Sequence, residues 1–298
     1  MTDAATQHSS LWGDVWVQFR SHRGAMVGSF IFLFIVALVV FGPMIHTVDP
    51  QYSNLRSRNA PFSLAHPFGT DNYGRDLLAQ VMQGGRTSLA VGMAAMVLSL
   101  VLGTLVGILA GFYKWLDGPL LRLTDLFLAL PLMPLLLVIV MLFRDTLRAA
   151  VGLEAGVFIL IVTVIGITSW MQTARIVRGD VLALKEREFV LAAQSIGTPP
   201  RRIITRHLMP NKLTPIMVSA TLGIAPAIIT ESALSFLGLG FPPDYPTWGR
   251  LVFDNQNFLS LAPERALIPA AFISLTVMSA NFIGDGLRDA LDPRIRGR

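Results

Sequence analysis

Uncharged stretches constrain this chain more than any other feature it has. Residues 24–48, 87–113, 126–143, 155–174 and 266–284 run without Asp, Glu, Lys or Arg, and a sixth stretch, 213–230, continues past Glu231 toward residue 243. About 18 such residues suffice to cross the hydrocarbon core of a bilayer as a helix. Lipid offers backbone N–H and C=O groups no partner, so a crossing segment must satisfy them internally, and these runs are too long and continuous for barrel strands. Composition agrees: 14% of residues are charged and 53% hydrophobic, where an ordinary soluble domain carries about 25% charged residues. The expectation is an all-α membrane protein with six transmembrane helices.

Six crossings leave both termini on one side. The runs divide the chain into a cytoplasmic N-terminal segment (1–24), a first transmembrane helix (25–47), an external segment with a short helix (48–85), a five-helix membrane domain (86–285) and a basic cytoplasmic tail (286–298). With the N-terminus inside, the inner segments hold sixteen Lys and Arg residues and the outer ones eight. That bias satisfies the positive-inside rule. The first run exceeds a signal-peptide core and no A-x-A site follows it, so it is expected to stay as an anchor. Within the external segment, "HPFGTDNYGRDLLAQVMQGG" predicts a turn over 68–72 and then a short helix with Leu77, Leu78, Val81 and Met82 on one face. An interfacial helix or ordinary packing explains that face equally well.

Several residues in the spans carry expectations of their own. Gly103, Gly107 and Gly111 recur every four residues and line one helix face, a stripe suited to close helix packing. Pro131 and Pro134 in the third span, and Pro215 and Pro226 in the fifth, should kink those helices. Glu231 is the candidate for a pathway or inter-subunit role, because a charge at that depth is costly; pairing with an Arg or with backbone near the outer interface is the alternative. Asp125 stands three residues from Arg122, at ion-pair spacing on a helix. Asn281 reads as a helix–helix hydrogen-bond partner.

The long polar interval "EREFVLAAQSIGTPPRRIITRHLMPN", residues 186–211, joins the fourth and fifth spans. Phe189, Val190, Ala193 and Ile196 predict one apolar helical face, and Gly197 ends that helix. Thr198 then caps a second helix with Pro199 at its first position, which runs to about Met209 before Pro210 stops it. A helix-turn-helix tethered at both ends to membrane spans suits a soluble protein partner and does not suit DNA. No nucleic-acid motif accompanies the basic charge, so no nucleic-acid partner is expected.

This interval resembles the "EAA" loop of ABC-importer permeases, in which E-A-A, three residues, Gly, nine residues and I-x-L-P form the contact with an ATPase subunit. Ala192, Ala193, Gly197 and Pro210 match at that spacing; Leu191 replaces the family's Glu, His207 its Ile and Met209 its Leu. "FGTDNYGRDLLAQVMQGGRTSL", "ALSFLGLGFPPDYPTWGRL" and "NFIGDGLRDALDPRIRGR" resemble the inner-membrane permeases of dipeptide, oligopeptide and nickel importers, most of all the second, shorter permease of the dipeptide systems. The resemblance implies a type I ABC-importer permease fold with a cytoplasmic coupling helix in a loop at about 175–212. It also implies an ATPase-docking surface of Glu188, Leu191, Ala192, Ala193, Gly197, Arg201 and Pro210.

The function implied is half of a peptide pathway across the bacterial inner membrane, working with a sister permease as heterodimer, two ABC ATPases, an external solute-binding protein and the surrounding lipid. Nickel or another small solute is the alternative cargo, and a secondary transporter the alternative class. The chain itself should not be an enzyme. Lys114, Lys185 and Lys212 follow Tyr, Leu and Asn, so none completes a phosphate-binding Gly-Lys loop, and ATP with its Mg is expected on the partner ATPases. No cofactor or metal is expected here either: Cys is absent, no H-E-x-x-H occurs, and the five His residues show no ligand spacing.

Overall fold

A computed structural model describes residues 11–242 and 244–291, and the structural statements below concern those residues. In chain order the helices are α1 (Leu11–Ser21), α2 (Arg23–Ile45), α3 (Leu77–Phe112), α4 (Lys114–Ala129), α5 (Leu132–Val151), α6 (Leu153–Lys185), α7 (Glu188–Ser195), α8 (Pro200–Ile203), α9 (Met209–Phe236), α10 (Trp248–Asn255) and α11 (Glu264–Leu291). Among the described residues no strand forms; one isolated bridge joins Thr70 and Asp76. The last residues of the basic tail lie outside the described residues.

Helices α2, α3, α6, α9 and α11 are long and apolar enough to span a bilayer. The sixth crossing is different. The run expected as one helix over 126–143 is broken: α4 and α5 meet at a 90° bend. Pro131 explains it, since a residue before proline is pushed out of the helical region and proline offers no N–H. Leu130 is accordingly extended at ψ 138°, and Pro131 caps α5. The short external helix is also revised. Leu77 opens α3 itself, a single 36-residue helix whose first turns rise out of the span. No proline occurs between Leu77 and Phe112, so the segment joins the span instead of lying beside it.

Packing follows the small residues. Ideal Cβ atoms at Gly103, Gly107 and Gly111 would lie 2.6 Å from Thr173 Cβ, 2.7 Å from the Ala174 carbonyl and 2.8 Å from Val181 Cβ, all on α6. The stripe therefore faces α6 at backbone-contact distance. Gly107→Val is expected to force the two helices apart and destabilise the fold by about 1–3 kcal/mol. Thermal unfolding of the detergent-solubilised protein checks this, and an unchanged midpoint would refute the close contact.

One helix defect is repaired by a neighbour. Pro43 lies inside α2, and its missing N–H leaves the carbonyl four residues earlier, that of Val39, without its helical donor. Arg86 on α3 supplies the bond: Nε donates to Val39 O at 2.9 Å and Nη2 to Val40 O at 2.8 Å. The first span is thereby stapled to the second.

Candidate functional site

The loop between α6 and α9 leaves a reinforced end of the bundle. On α6, Arg178 grips Asp117 of α4 through one guanidinium edge, Nε donating to Oδ1 and Nη2 to Oδ2 at 2.8 Å, and Arg175 pairs with Asp125. The expected Arg122–Asp125 pair is thus replaced by a bond between helices, because the bend at Leu130 lays α4 across α6. Lys185, the last residue of α6, donates to the Phe112 carbonyl at 2.6 Å and sits 5.2 Å over the Phe112 ring. That carbonyl belongs to the final turn of α3, where helical donors run out. Three cations on one helix therefore fix α3 and α4 to the place where the loop departs.

Within the loop, α7 has two faces. Val190 is 0% exposed and Ala193 7%, packed with Val177, Val181, Ile203 and Leu208. Phe189, Leu191 and Ile196 are 44%, 48% and 83% exposed. The sequence reading grouped Phe189 and Ile196 with the buried face; the structure turns both outward. An eight-residue helix is only about two turns long, so 3.6-residue periodicity leaves such edge positions undecided. Glu188, Ala192 and Arg201 are exposed as well. Of the residues expected at the docking surface, Ala193 is buried and holds α7 to the bundle.

Gly197 has φ +74° and no neighbouring atom within 4 Å of a built Cβ. The turn therefore requires its backbone freedom and makes no other demand on it. The next helix begins one residue later than expected, with Pro199 as cap and Pro200 at the first position. It does not stop at Pro210. A π-helical turn, Ile204–Leu208, lies between it and α9, and Pro210 stands at the second position of α9. The second loop helix and the fifth span are one continuous course.

The opposite end of the bundle is closed by polar clasps. Asp76, buried, caps α3 by accepting from Ala79 N at 2.7 Å, and the same carboxylate binds His46 Nε2 at 3.0 Å and His66 Nδ1 at 2.8 Å. Asp71 accepts from Tyr73 N, Arg75 N and Arg75 Nε at 2.8, 2.9 and 2.7 Å, which makes the turn in "GTDNYGRD". Two of the histidines that look scattered along the chain thus converge on one acid. Among the described residues no cluster of three His, Cys, Asp or Glu side chains could hold a metal.

Glu231 also sits at this end. It is 0% exposed within the chain. Ser235 Oγ donates to it at 2.8 Å and Ser232 Oγ lies 3.4 Å away. Burying a carboxylate in a span costs on the order of a few kcal/mol, and here hydroxyls, not a cation, offset it. Trp248, fully buried beside it, donates Nε1 to Val81 O at 2.9 Å.

Known proteins share this plan. The family model described as "Binding-protein-dependent transport system inner membrane component" matches residues 103–297, and that of the "N-terminal TM domain of oligopeptide transport permease C" matches residues 10–61. The chain is 41% identical to the oligopeptide transport system permease protein OppC of Bacillus subtilis over 96% of its own length and 91% of the relative's. It is 37% identical to the dipeptide transport system permease protein DppC of Alkalihalophilus pseudofirmus, with the same coverage of both chains. It is also 37% identical to the glutathione transport system permease protein GsiD of Escherichia coli, again over 96% and 91%. In fold, it matches a chain of the MetNI methionine ABC transporter in an inward-facing conformation, with TM-score 0.56 and 16% identity, covering 72% of this chain and 97% of that one. Five span-length apolar helices, a bent pair that makes a sixth, and these matches agree: the chain belongs to the inner-membrane permease family of binding-protein-dependent ABC transport systems.

Proposed function

We propose that this chain is one half of the membrane pathway of an ATP-driven importer of di- or oligopeptides. Its sister permease completes the pathway as a heterodimer, two ABC ATPases bind ATP and Mg, and an external solute-binding protein delivers the cargo. The complex lies in the bacterial inner membrane with both termini of this chain in the cytoplasm, the orientation that the Lys and Arg distribution favours. Peptide cargo is preferred over nickel because the relatives at 41% and 37% identity are named for oligopeptide and dipeptide transport.

The observation that carries the docking part is the outward face of α7, where Phe189, Leu191 and Ile196 stay exposed on a rigid, well-anchored helix. Exposed apolar side chains on a fixed two-turn helix suit insertion into a groove of a soluble subunit. Glu188, Ala192 and Arg201 flank that face, Ala193 fixes it from beneath, and Gly197 and Pro210 shape the turn and exit. Closure of the two ATPases pushes α7; Lys185, Arg178 and Arg175 pass the displacement to α3 and α4, and the bundle rocks to alternate access. The three lysines leave this subunit without a phosphate loop, so it moves and does not hydrolyse.

Uptake in a strain deleted for this chain is the direct test. Labelled dipeptide uptake is expected to fall to background and to return with the intact gene, while nickel uptake stays constant. Unchanged dipeptide and oligopeptide uptake in the deletion would overturn the assignment.

A further inference from the structure

We propose that one stripe of α11, carrying Ser274 and Asn281, is this chain's wall of the water-filled transport pathway, and that the Asn281 amide meets the peptide as it passes. The inference rests on the importer reading above. Ser274, Asn281 and Asp285 stand seven and then four residues apart, so they share one helix face, and all three are exposed. Ser274 lies near the middle of the uncharged run 266–284, and Asn281 near its end, one turn before Asp285.

Hydrocarbon supplies no hydrogen-bond partner, so a polar side chain turned outward at this depth needs water or protein against it. The hydroxyls buried on the other side of α11 are satisfied within the helix: Thr276 Oγ1 donates to Phe272 O at 2.7 Å and Ser279 Oγ to Leu275 O at 2.6 Å. Ser274 and Asn281 make no hydrogen bond of this kind among the described residues. Asn281, expected to bond another helix, finds no such partner within this chain.

The helices on either side give the stripe its borders. Toward α2, Leu275 and Phe282 are exposed and apolar, a surface suited to lipid, and Phe282 Cβ lies 2.8 Å from an ideal Cβ at Gly28 of α2. Toward α9, Gly284 receives Leu222, whose Cδ2 lies 2.6 Å from the ideal Cβ there. Pro226, exposed on α9 one turn beyond Leu222, has no N–H for that residue's carbonyl. At Pro43 the corresponding carbonyl takes a bond from Arg86, but among the described residues no side chain donates to Leu222 O. An acceptor without its helical donor and an unpaired amide thus lie along one seam. A helix of the sister permease would need matching polar groups at each of these depths; water needs no such match. An amide both donates and accepts, so Asn281 can pair with the N–H and C=O of a peptide whatever its side chains.

The chain has no Cys, so single cysteines report directly on access. The complete complex is reconstituted in liposomes with its sister permease, ATPases and binding protein, and a charged, membrane-impermeant methanethiosulfonate is supplied on both faces. Ser274→Cys and Asn281→Cys are expected to react, read as a mass shift on this chain, while Leu275→Cys and Phe282→Cys stay unmodified. Asn281→Leu should lower dipeptide import per ATP hydrolysed roughly three- to tenfold, the effect of one lost hydrogen bond, and Asn281→Gln should keep most of it. Equal reaction at all four positions would overturn the proposal. So would protection of Ser274→Cys and Asn281→Cys in a complex whose detergent-solubilised subunit reacts at both, which would put the sister permease on the stripe. Normal import by Asn281→Leu would refute the contact with cargo. A wild-type complex that imports no dipeptide fails the importer reading instead, whereas a stripe that stays dry in an importing complex fails this one.

Discussion

Gly197→Val abolishes most transport while the protein still reaches the membrane. The position has φ +74° and open space around it, so a side chain there meets no atom and the whole penalty is backbone strain. For a β-branched residue the left-handed region is a true outlier, and the cost is about 1–2 kcal/mol or more. A penalty of that size shifts the balance between the native and an opened loop roughly 5–30-fold. The turn carries Phe189, Leu191 and Ile196 on one side and the course of α8 and α9 on the other, so an opened turn disconnects docking from the span. Gly197→Asn should be much milder, because Asn tolerates the same region. Uptake and ATPase co-purification read the outcome. Normal values for both in Gly197→Val would sink the docking assignment.

Asp76→Ala is the second large effect, and it acts at the other end. The substitution removes the cap of α3 and the common acceptor of His46 and His66 in one step. A lost cap costs about 1 kcal/mol and each charged hydrogen bond roughly as much again or more, so a loss of about 3 kcal/mol is expected. The segment 46–76 should then open locally well before the membrane helices melt. Limited proteolysis reads this as early cleavage within 46–76, with Asp76→Asn intermediate because an amide oxygen can still cap. Equal protease resistance in Asp76→Ala and the parent would show that the clasp contributes nothing.

The membrane architecture was legible because length and lack of charge decide it, and neither depends on neighbours. Local breaks were less so. The uncharged run 126–143 spans the bend at Leu130 without interruption, and only Pro131 signals it. Prolines 210, 215 and 226 look equally disruptive in sequence, yet all lie within α9.

The loop between α6 and α9 was legible in its glycine and its alanines, but not in the side chains it shows outward. The polar clasps were the least legible. His46 ends α2, His66 lies in the loop that follows and Asp76 caps α3. Each residue alone reads as a solvated or capping group. Only the fold makes them a set.

The staple between Arg86 and the carbonyls of α2 makes one residue's importance conditional on another's. Arg86 substitutes for a bond that Pro43 cannot make. Pro43→Ala restores the ladder within α2, and in that background Arg86→Leu should cost less than it does alone, so the two changes will not add. The first helix is thus held by a debt: its flaw gives the neighbouring span something to grip, and a sequence that straightened the helix would loosen the pair.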